Sequence, residues 1–181
     1  MFRNADKPAN IREQDSETPW LTGQTIDFID QAEGPWMAHV SYIKPHWPYI
    51  VPSPYHNMFG PSHVPPARRH LVEQESPHPV YGAYMDNKVS SAFQRKEVRD
   101  KVIPAYMGLI KQCDDQLGRL LDHLEATGRM QDTMIVLTSD HGDYLGDHWL
   151  GEKDLFHEAS VKVPLIIYDP RDQADATRGT T

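Results

Sequence analysis

The segment Thr133–Asp147, TMIVLTSDHGDYLGD, is the most informative part of this sequence for its architecture. Thr133–Thr138 is an apolar run of strand length, typical of a strand buried on both faces of a parallel sheet. Polar residues begin directly after it, with Ser139, Asp140 and His141. Because ligands of α/β sheets collect outside the carboxyl ends of the strands, the segment predicts both a sheet and a site at its edge.

Two further apolar runs predict partner strands. Trp36–Ile43 (WMAHVSYI) is bounded by prolines on both sides, and Val163–Tyr168 (VPLIIY) carries its proline near the start. Both have the length and composition of buried strands. Apolar strands that alternate with helices indicate an α/β fold, here a mainly parallel sheet flanked by helices.

Two helices are predicted from periodicity. Thr22–Glu33 has a short helical pattern that ends at Gly34-Pro35. A longer pattern follows, with Pro104 expected in its first turn and Gly128 at its C-terminal cap. Its apolar residues recur at three- and four-residue steps: Val102, Ile103, Tyr106, Met107, Ile110, Cys113, Leu117, Leu120, Leu121 and Leu124.

The region between the first strand and the long helix is irregular in composition. Lys44–Pro66 contains seven prolines, which exclude a regular helix and predict an extended, packed loop. Val64–Val98 is polar and mixed, so we expect a surface excursion with short helices.

Composition excludes several classes of partner. The 181 residues, 39% of them hydrophobic, suffice for one domain with a core, and 18 basic against 26 acidic residues give a net charge of -8. Without a Lys/Arg block, no nucleic acid is expected. Met1–Pro19 lacks the apolar run of a leader, and no run of about 18 apolar residues predicts a membrane span. We expect a cytoplasmic protein with no membrane partner.

Asp140 and His141 are the first candidate site residues. A carboxylate and a neutral imidazole are ordinary ligands of a divalent cation, and Gly142 lets the backbone turn without a Cβ clash. The alternative is that Asp140 caps a turn and His141 is merely a polar surface residue. The pair alone therefore leaves a metal site as a hypothesis.

Lys153 and three histidines complete the candidates. Lys153 could be a fixed positive charge that stabilises sulfuryl or phosphoryl oxygens, or a solvated surface lysine. For His148 and His157 we favour hydrogen bonds that shape the loop. His46, in a loop rich in proline and aromatic residues, suits a general acid or oxyanion donor, the alternative being a packed loop residue.

The remaining histidines carry no functional prediction. His39 alternates within the first predicted strand, so we expect a buried, hydrogen-bonded core residue. Five others are left without a role: His56, His63, His70, His78 and His123.

Three elements together resemble the sulfatase branch of the alkaline phosphatase superfamily. The strings HWPY (His46–Tyr49) and DHGDYLGDH (Asp140–His148) are most similar to phosphonate monoester hydrolases. The resemblance spans Trp36–Pro170. The elements, in this order, are Lys44–Tyr49, the helix end Gln116–Leu121 and the run Thr138–Lys153.

The resemblance implies roles for four residues. Asp140 and His141 would be two ligands of one divalent metal such as manganese, calcium or zinc. His46 and Lys153 would contact the non-bridging or leaving-group oxygens of a small anionic ester. It also implies an incomplete alkaline-phosphatase-like fold and association into homo-oligomers.

The sequence departs from the family at the nucleophile. The family uses a cysteine in a Cys-x-Pro-x-Arg motif, oxidised to formylglycine. Here Cys113 is followed by Asp114-Asp115-Gln116 and lies on the apolar stripe of the long helix, so we interpret it as a core cysteine. The family's earlier metal-binding aspartates have no counterpart upstream of His46. We therefore expect residues 1–181 to be a partial catalytic domain that lacks the nucleophile-bearing part and is inactive alone.

Three functions remain open at this point. The first is a parent enzyme that is a metal-dependent hydrolase of phosphonate monoesters, phosphodiesters or sulfate monoesters. The second is an arylsulfatase, and the third is a non-catalytic scaffold domain that has kept an anion site. A Cys-x-Pro-x-Arg motif encoded upstream would favour an enzyme over the scaffold.

Overall fold

The computed structural model describes residues 2–177. Helices dominate this part of the chain, and two short strands lie near its end. The helices are α1 (Glu17–Gln31), α2 (Pro79–Asp86), α3 (Lys88–Phe93), α4 (Lys96–Ala126) and α5 (Glu158–Val161), and the strands are β1 (Ile135–Thr138) and β2 (Leu165–Tyr168).

Helix α4 is the predicted long helix, but it begins earlier than expected. It starts at Lys96, so Pro104 lies in the helix interior and its predicted place in the first turn is wrong. The first turn carries no apolar pattern and is instead bridged by the Lys96–Asp100 ion pair, which periodicity cannot detect. The predicted cap is confirmed, since Gly128 has the left-handed φ of 73° and donates its N–H to Glu125.

The buried face of α4 includes two amides that the apolar pattern did not predict. Gln112 and Gln116 are buried, whereas Ile110 is exposed. Gln112 donates to Ser16 Oγ at 2.8 Å, and both amides approach Glu13 Oε1 at 3.3 Å. These bonds attach α4 to the segment that leads into α1, so the polar side chains are buried without losing hydrogen bonds.

The main core lies where the proline-rich loop and α3 pack on the first half of α4. Within Lys44–Pro66, Tyr49 and Val51 are fully buried, which confirms a packed loop. Phe93 of α3 is also fully buried, so the expectation of a surface excursion up to Val98 is wrong for α3. The cluster comprises Ala5, Tyr49, Val51, Tyr55, Phe93, Val102, Ala105 and Leu109.

The predicted parallel sheet is not found among residues 2–177. Strands β1 and β2 are antiparallel, with Ile135 opposite Tyr168 and Thr138 opposite Leu165. The chain between them returns through a loop and the four-residue helix α5, without the crossover helix that parallel strands need. Trp36–Ile43 is assigned to no strand within the described residues.

The apolar strand residues are exposed, contrary to prediction. Val136, Leu165 and Ile166 are 55%, 66% and 59% exposed, and Met37 is 88% exposed. His39 is exposed too, so its predicted core position is wrong. Composition identified segments suited to burial, yet no element in the described part of the chain covers them. None of the described helices is long and apolar enough to cross a membrane.

Candidate active site

The loop that follows β1 is held in shape by its own hydrogen bonds. Asp140 Oδ1 accepts the backbone N–H of His141 at 2.9 Å, and Ser139 Oγ donates to the carbonyl of His141 at 2.8 Å. The Asp140 side chain is otherwise largely exposed. Its second oxygen, Oδ2, is therefore free of these bonds and available to a ligand.

Gly142 is required here for a reason other than the predicted one. Its N–H donates to the carbonyl of Ser160 at 2.7 Å, and a Cβ would lie 2.1 Å from the carbonyl oxygen of Ala159. Its φ lies outside the left-handed region, so close approach to α5, not a sharp turn, excludes a side chain. Because Ser160 Oγ also donates to the carbonyl of Lys153 at 2.5 Å, α5 holds both the Asp140 loop and the Lys153 segment.

The ring of His141 is oriented for ligation. Its Nδ1 is 2.8 Å from the carbonyl of Gly142, and since a carbonyl only accepts, Nδ1 carries the proton. Nε2 then has a free lone pair and lies 3.4 Å from Asp140 Oδ2. Two ligand atoms at this separation can share a cation with bonds of about 2.0–2.2 Å. No set of three or more Asp, Glu, His or Cys side chains suited to a metal occurs in the described residues, so the pair offers two side-chain ligands and no third.

His46 and Lys153 contact each other beside this pair. His46 Nδ1 is 2.9 Å from the carbonyl of Trp47, which assigns the proton to Nδ1, and Nε2 accepts from Lys153 Nζ at 2.8 Å. The rings of His46 and His141 are 6.2 Å apart between centroids. The structure thus brings all four predicted site residues together, although α4 separates His46 from the others in sequence.

Comparison with known proteins identifies the family of the chain. Residues 3–181 match the family described as Sulfatase. The chain belongs to the sulfatase family. It is 33% identical over 178 residues to the multifunctional alkaline phosphatase superfamily protein PehA of Trinickia caryophylli, covering 91% of this chain and 34% of PehA.

Two further relatives are a phosphonate monoester hydrolase and an arylsulfatase. The phosphonate monoester hydrolase of Agrobacterium radiobacter superposes with a TM-score of 0.84 at 34% identity, over 91% of this chain and 35% of that one. An arylsulfatase of Clostridium perfringens is 27% identical over 96% of this chain and 36% of its own length. The chain spans about a third of the length of these relatives and has the alkaline-phosphatase-like fold of sulfatases and related hydrolases.

One contact of this sulfatase-family site was not predicted from sequence. Tyr49 donates its hydroxyl to Asp143 Oδ2 at 2.8 Å, and the Leu145 N–H donates to Oδ1 at 3.0 Å. Burial raises the pKa of Asp143 to about 6, against the lowering effect of these two donors and of Lys153. The bond joins the loop of His46 to the loop of His141. Both residues lie within the strings that carry the family resemblance, but their spacing gave no sign of a contact.

Replacement of Tyr49 by Phe should destabilise the complete protein by about 1–3 kcal/mol, because a partly buried carboxylate loses a donor. Tyr55→Phe is the matched control. The Tyr55 hydroxyl donates to Asp115 Oδ2 at 2.9 Å, but Asp115 is half exposed and also pairs with Lys111. Loss of the Tyr55 hydroxyl should therefore lower the free energy of unfolding by less than about 1 kcal/mol. Urea unfolding of both variants measures the difference, and equal losses would contradict a special role for the Tyr49 bond.

His148 and His157 shape the loop, as predicted. Their rings stack at 4.1 Å, His148 Nδ1 lies 2.7 Å from Glu73, and His157 Nδ1 lies 2.9 Å from the Tyr144 hydroxyl. The loop needs such support because non-glycine residues adopt left-handed φ values in it. These residues are Leu145 (47°), His148 (52°), Trp149 (64°) and Glu152 (63°).

Cys113 is a packed residue and is poorly suited to nucleophilic attack. Its Sγ donates to the carbonyl of Lys44 at 3.4 Å, and burial raises the pKa of the thiol to about 11. Since the thiolate is the reactive form, this environment suppresses reactivity. The interpretation of Cys113 as structural agrees with these contacts.

Proposed function

We propose that this chain forms the later part of the catalytic domain of a metal-dependent hydrolase of phosphonate monoesters, phosphodiesters or sulfate monoesters. The observation that carries the proposal is the meeting of the Asp140–His141 pair with the His46–Lys153 pair. Similarity to a phosphonate monoester hydrolase supports the first substrate class.

Asp140 Oδ2 and His141 Nε2 are the proposed ligands of a divalent cation, manganese, calcium or zinc. Such a cation, when bound, supplies a Lewis acid for the substrate oxygen. The carbonyl of Gly142 accepts a hydrogen bond from Nδ1–H of His141, which holds the ring in the tautomer whose Nε2 carries the lone pair. Ser139 fixes the turn through the carbonyl of His141. The residues around the pair thus prearrange it for ligation.

His46 and Lys153 are the proposed substrate contacts. The Lys153 ammonium would stabilise negative charge that develops on the non-bridging oxygens, as a fixed electrostatic donor does in a catalytic site. His46 Nδ1 is occupied by the carbonyl of Trp47, so Nε2 is the ring atom left for the substrate, and it would donate to a substrate or leaving-group oxygen when it also carries a proton. In the free site Lys153 Nζ donates to this same atom, which keeps its lone pair directed toward Lys153.

The nucleophile is proposed to lie in another part of the complete protein, as a formylglycine. The exposed apolar residues of β1, β2 and the Trp36–Ile43 segment support this arrangement, because a larger sheet would cover them. A small anionic ester is the proposed partner. A cytoplasmic location, association into homo-oligomers and a lack of nucleic-acid or membrane partners stay predictions.

Substrate class is tested on the complete, metal-loaded protein with aryl esters that share one leaving group. We expect the phosphonate monoester to give a higher kcat/KM than the sulfate monoester. The reverse order would favour an arylsulfatase, the function to which the similarity to the Clostridium perfringens enzyme points. Metal binding without turnover of either ester, together with the lack of a Cys-x-Pro-x-Arg motif, would favour the scaffold.

A further inference from the structure

A second pocket, lined by basic side chains, lies apart from the proposed catalytic residues. It has a volume of about 400 Å³ and lies between the segment that precedes α2, the first turn of α4 and Trp149. Arg69, Lys96 and Arg99 line it together with Trp149 and apolar side chains. None of the four proposed catalytic residues belongs to its lining. A concentration of positive charge is unexpected in a chain of net charge -8.

Arg99 brings an uncompensated charge into this pocket. It is 6% exposed and donates Nε to the carbonyl of Leu145 at 3.1 Å and Nη2 to the carbonyl of Pro65 at 2.7 Å. These two neutral carbonyls accept from Nε and Nη2 but leave the positive charge without a counterion. Within the described part of the chain, no carboxylate forms an ion pair with Arg99. A buried unpaired cation is unfavourable unless an anion joins it.

Arg69 has an unmet hydrogen-bond donor. Its Nη2 donates to the carbonyl of Gln94 at 3.1 Å, and its guanidinium carbon lies 4.3 Å from the centre of the Trp149 ring. Nη1 is buried and has no hydrogen-bond partner among residues 2–177. The Trp149 indole donates a hydrogen bond to the carbonyl of His70, which fixes the ring that the Arg69 guanidinium packs against. Burial and the charge of Arg99 both lower the pKa of Arg69.

Two carboxylates lie near these cations, but within the described residues neither forms an ion pair with Arg69 or Arg99. Asp100 pairs with Lys96 at 2.5 Å, and Asp147 acts on Arg69 electrostatically while its Oδ1 accepts the backbone N–H of Arg68. Lys96 is therefore paired with its own carboxylate, and Asp147 is the one nearby carboxylate in the described residues that remains against the charges of Arg69 and Arg99. An excess positive charge and an unmet guanidinium donor remain in the pocket.

We propose that this pocket binds the oxyanion group of phosphate or sulfate, either as the free ion or on a small organic molecule. A tetrahedral oxyanion offers several acceptors at once, which matches the fork of guanidinium donors and the Lys96 ammonium. It would engage Arg69 Nη1 and neutralise the excess charge beside Arg99. The site is independent of the proposed catalytic one.

The test is calorimetric titration of inorganic phosphate into the complete protein that carries Lys153→Ala, which removes a proposed catalytic anion contact. We expect binding that Arg69→Gln weakens about 10- to 100-fold, the effect of losing a charge-assisted hydrogen bond. Arg68→Gln is the matched control, because Arg68 is exposed and lies outside the pocket lining. It should change affinity by no more than about twofold.

A second variant separates binding from folding. Arg69→Lys keeps the charge but loses the fork, so it should weaken phosphate binding while the melting temperature stays close to that of Arg68→Gln. Tighter binding of phenylphosphonate than of phosphate would show that the site prefers an oxyanion carried on an organic molecule. Equal binding of the two would identify the free ion as the ligand. The proposal is overturned if the Lys153→Ala protein binds no phosphate, or if both Arg69 variants bind it as Arg68→Gln does.

Discussion

Residues 1–181, expressed alone and supplied with manganese, should not hydrolyse an aryl phosphonate ester at an enzymatic rate. The only cysteine is Cys113, which lies outside a Cys-x-Pro-x-Arg motif and has a raised pKa. Asp140 and His141 offer two ligands, so a cation held by them and by water would bind weakly. On the proposed function, residues 1–181 thus lack the nucleophile and part of the metal site.

A trace of metal-dependent turnover is compatible with this expectation. Lys153 and His46 could still stabilise charge on the substrate without a nucleophile. Hydrolases whose nucleophile has been removed by mutation keep some residual activity for this reason. The exposed apolar residues of β1 and β2 should also make the isolated chain aggregate, so its solution state is checked by light scattering before the assay. Robust turnover that Asp140→Ala abolishes would show that a complete site exists in these residues.

In the complete protein, Asp140→Ala and Lys153→Ala should both lose activity, but only Asp140→Ala should also lose bound metal. Removal of Asp140 takes away one of two proposed metal ligands, so bound metal should fall together with activity. Removal of Lys153 leaves both ligand atoms in place, so metal should stay bound while kcat falls about 10²- to 10³-fold, the typical loss for one electrostatic donor. The contrast separates ligation from charge stabilisation.

Elemental analysis and steady-state kinetics on the same samples measure both effects. Lys162→Ala is the control for loss of a lysine charge, since Lys162 is exposed on the surface and pairs with Glu158 at 3.6 Å. It should change neither readout. A normal rate in Lys153→Ala would remove that residue from the mechanism, and undiminished metal in Asp140→Ala would remove Asp140 from the ligand set.

Several features follow from local sequence alone. The periodicity of apolar residues predicted α4, and Gly128 marked its end because glycine adopts a left-handed φ without strain. The apolar run Thr133–Thr138 places Asp140 and His141 just past the end of a strand, where the structure has them after β1 and Ser139. Such features depend on residues a few positions apart, whose relation the backbone conformation sets.

Other features depend on how distant segments pack, and local sequence patterns do not predict them. The direction of β2 relative to β1 follows from the path of the connecting loop, since an apolar run has the same composition in either direction. The contacts of Lys153 with His46 and of Tyr49 with Asp143, and the meeting of Arg69 with Arg99, exist because α4 and the proline-rich loop bring together residues that are remote in sequence. Apolar periodicity records which side of a segment prefers burial, but side-chain contacts across the fold require the packed arrangement itself.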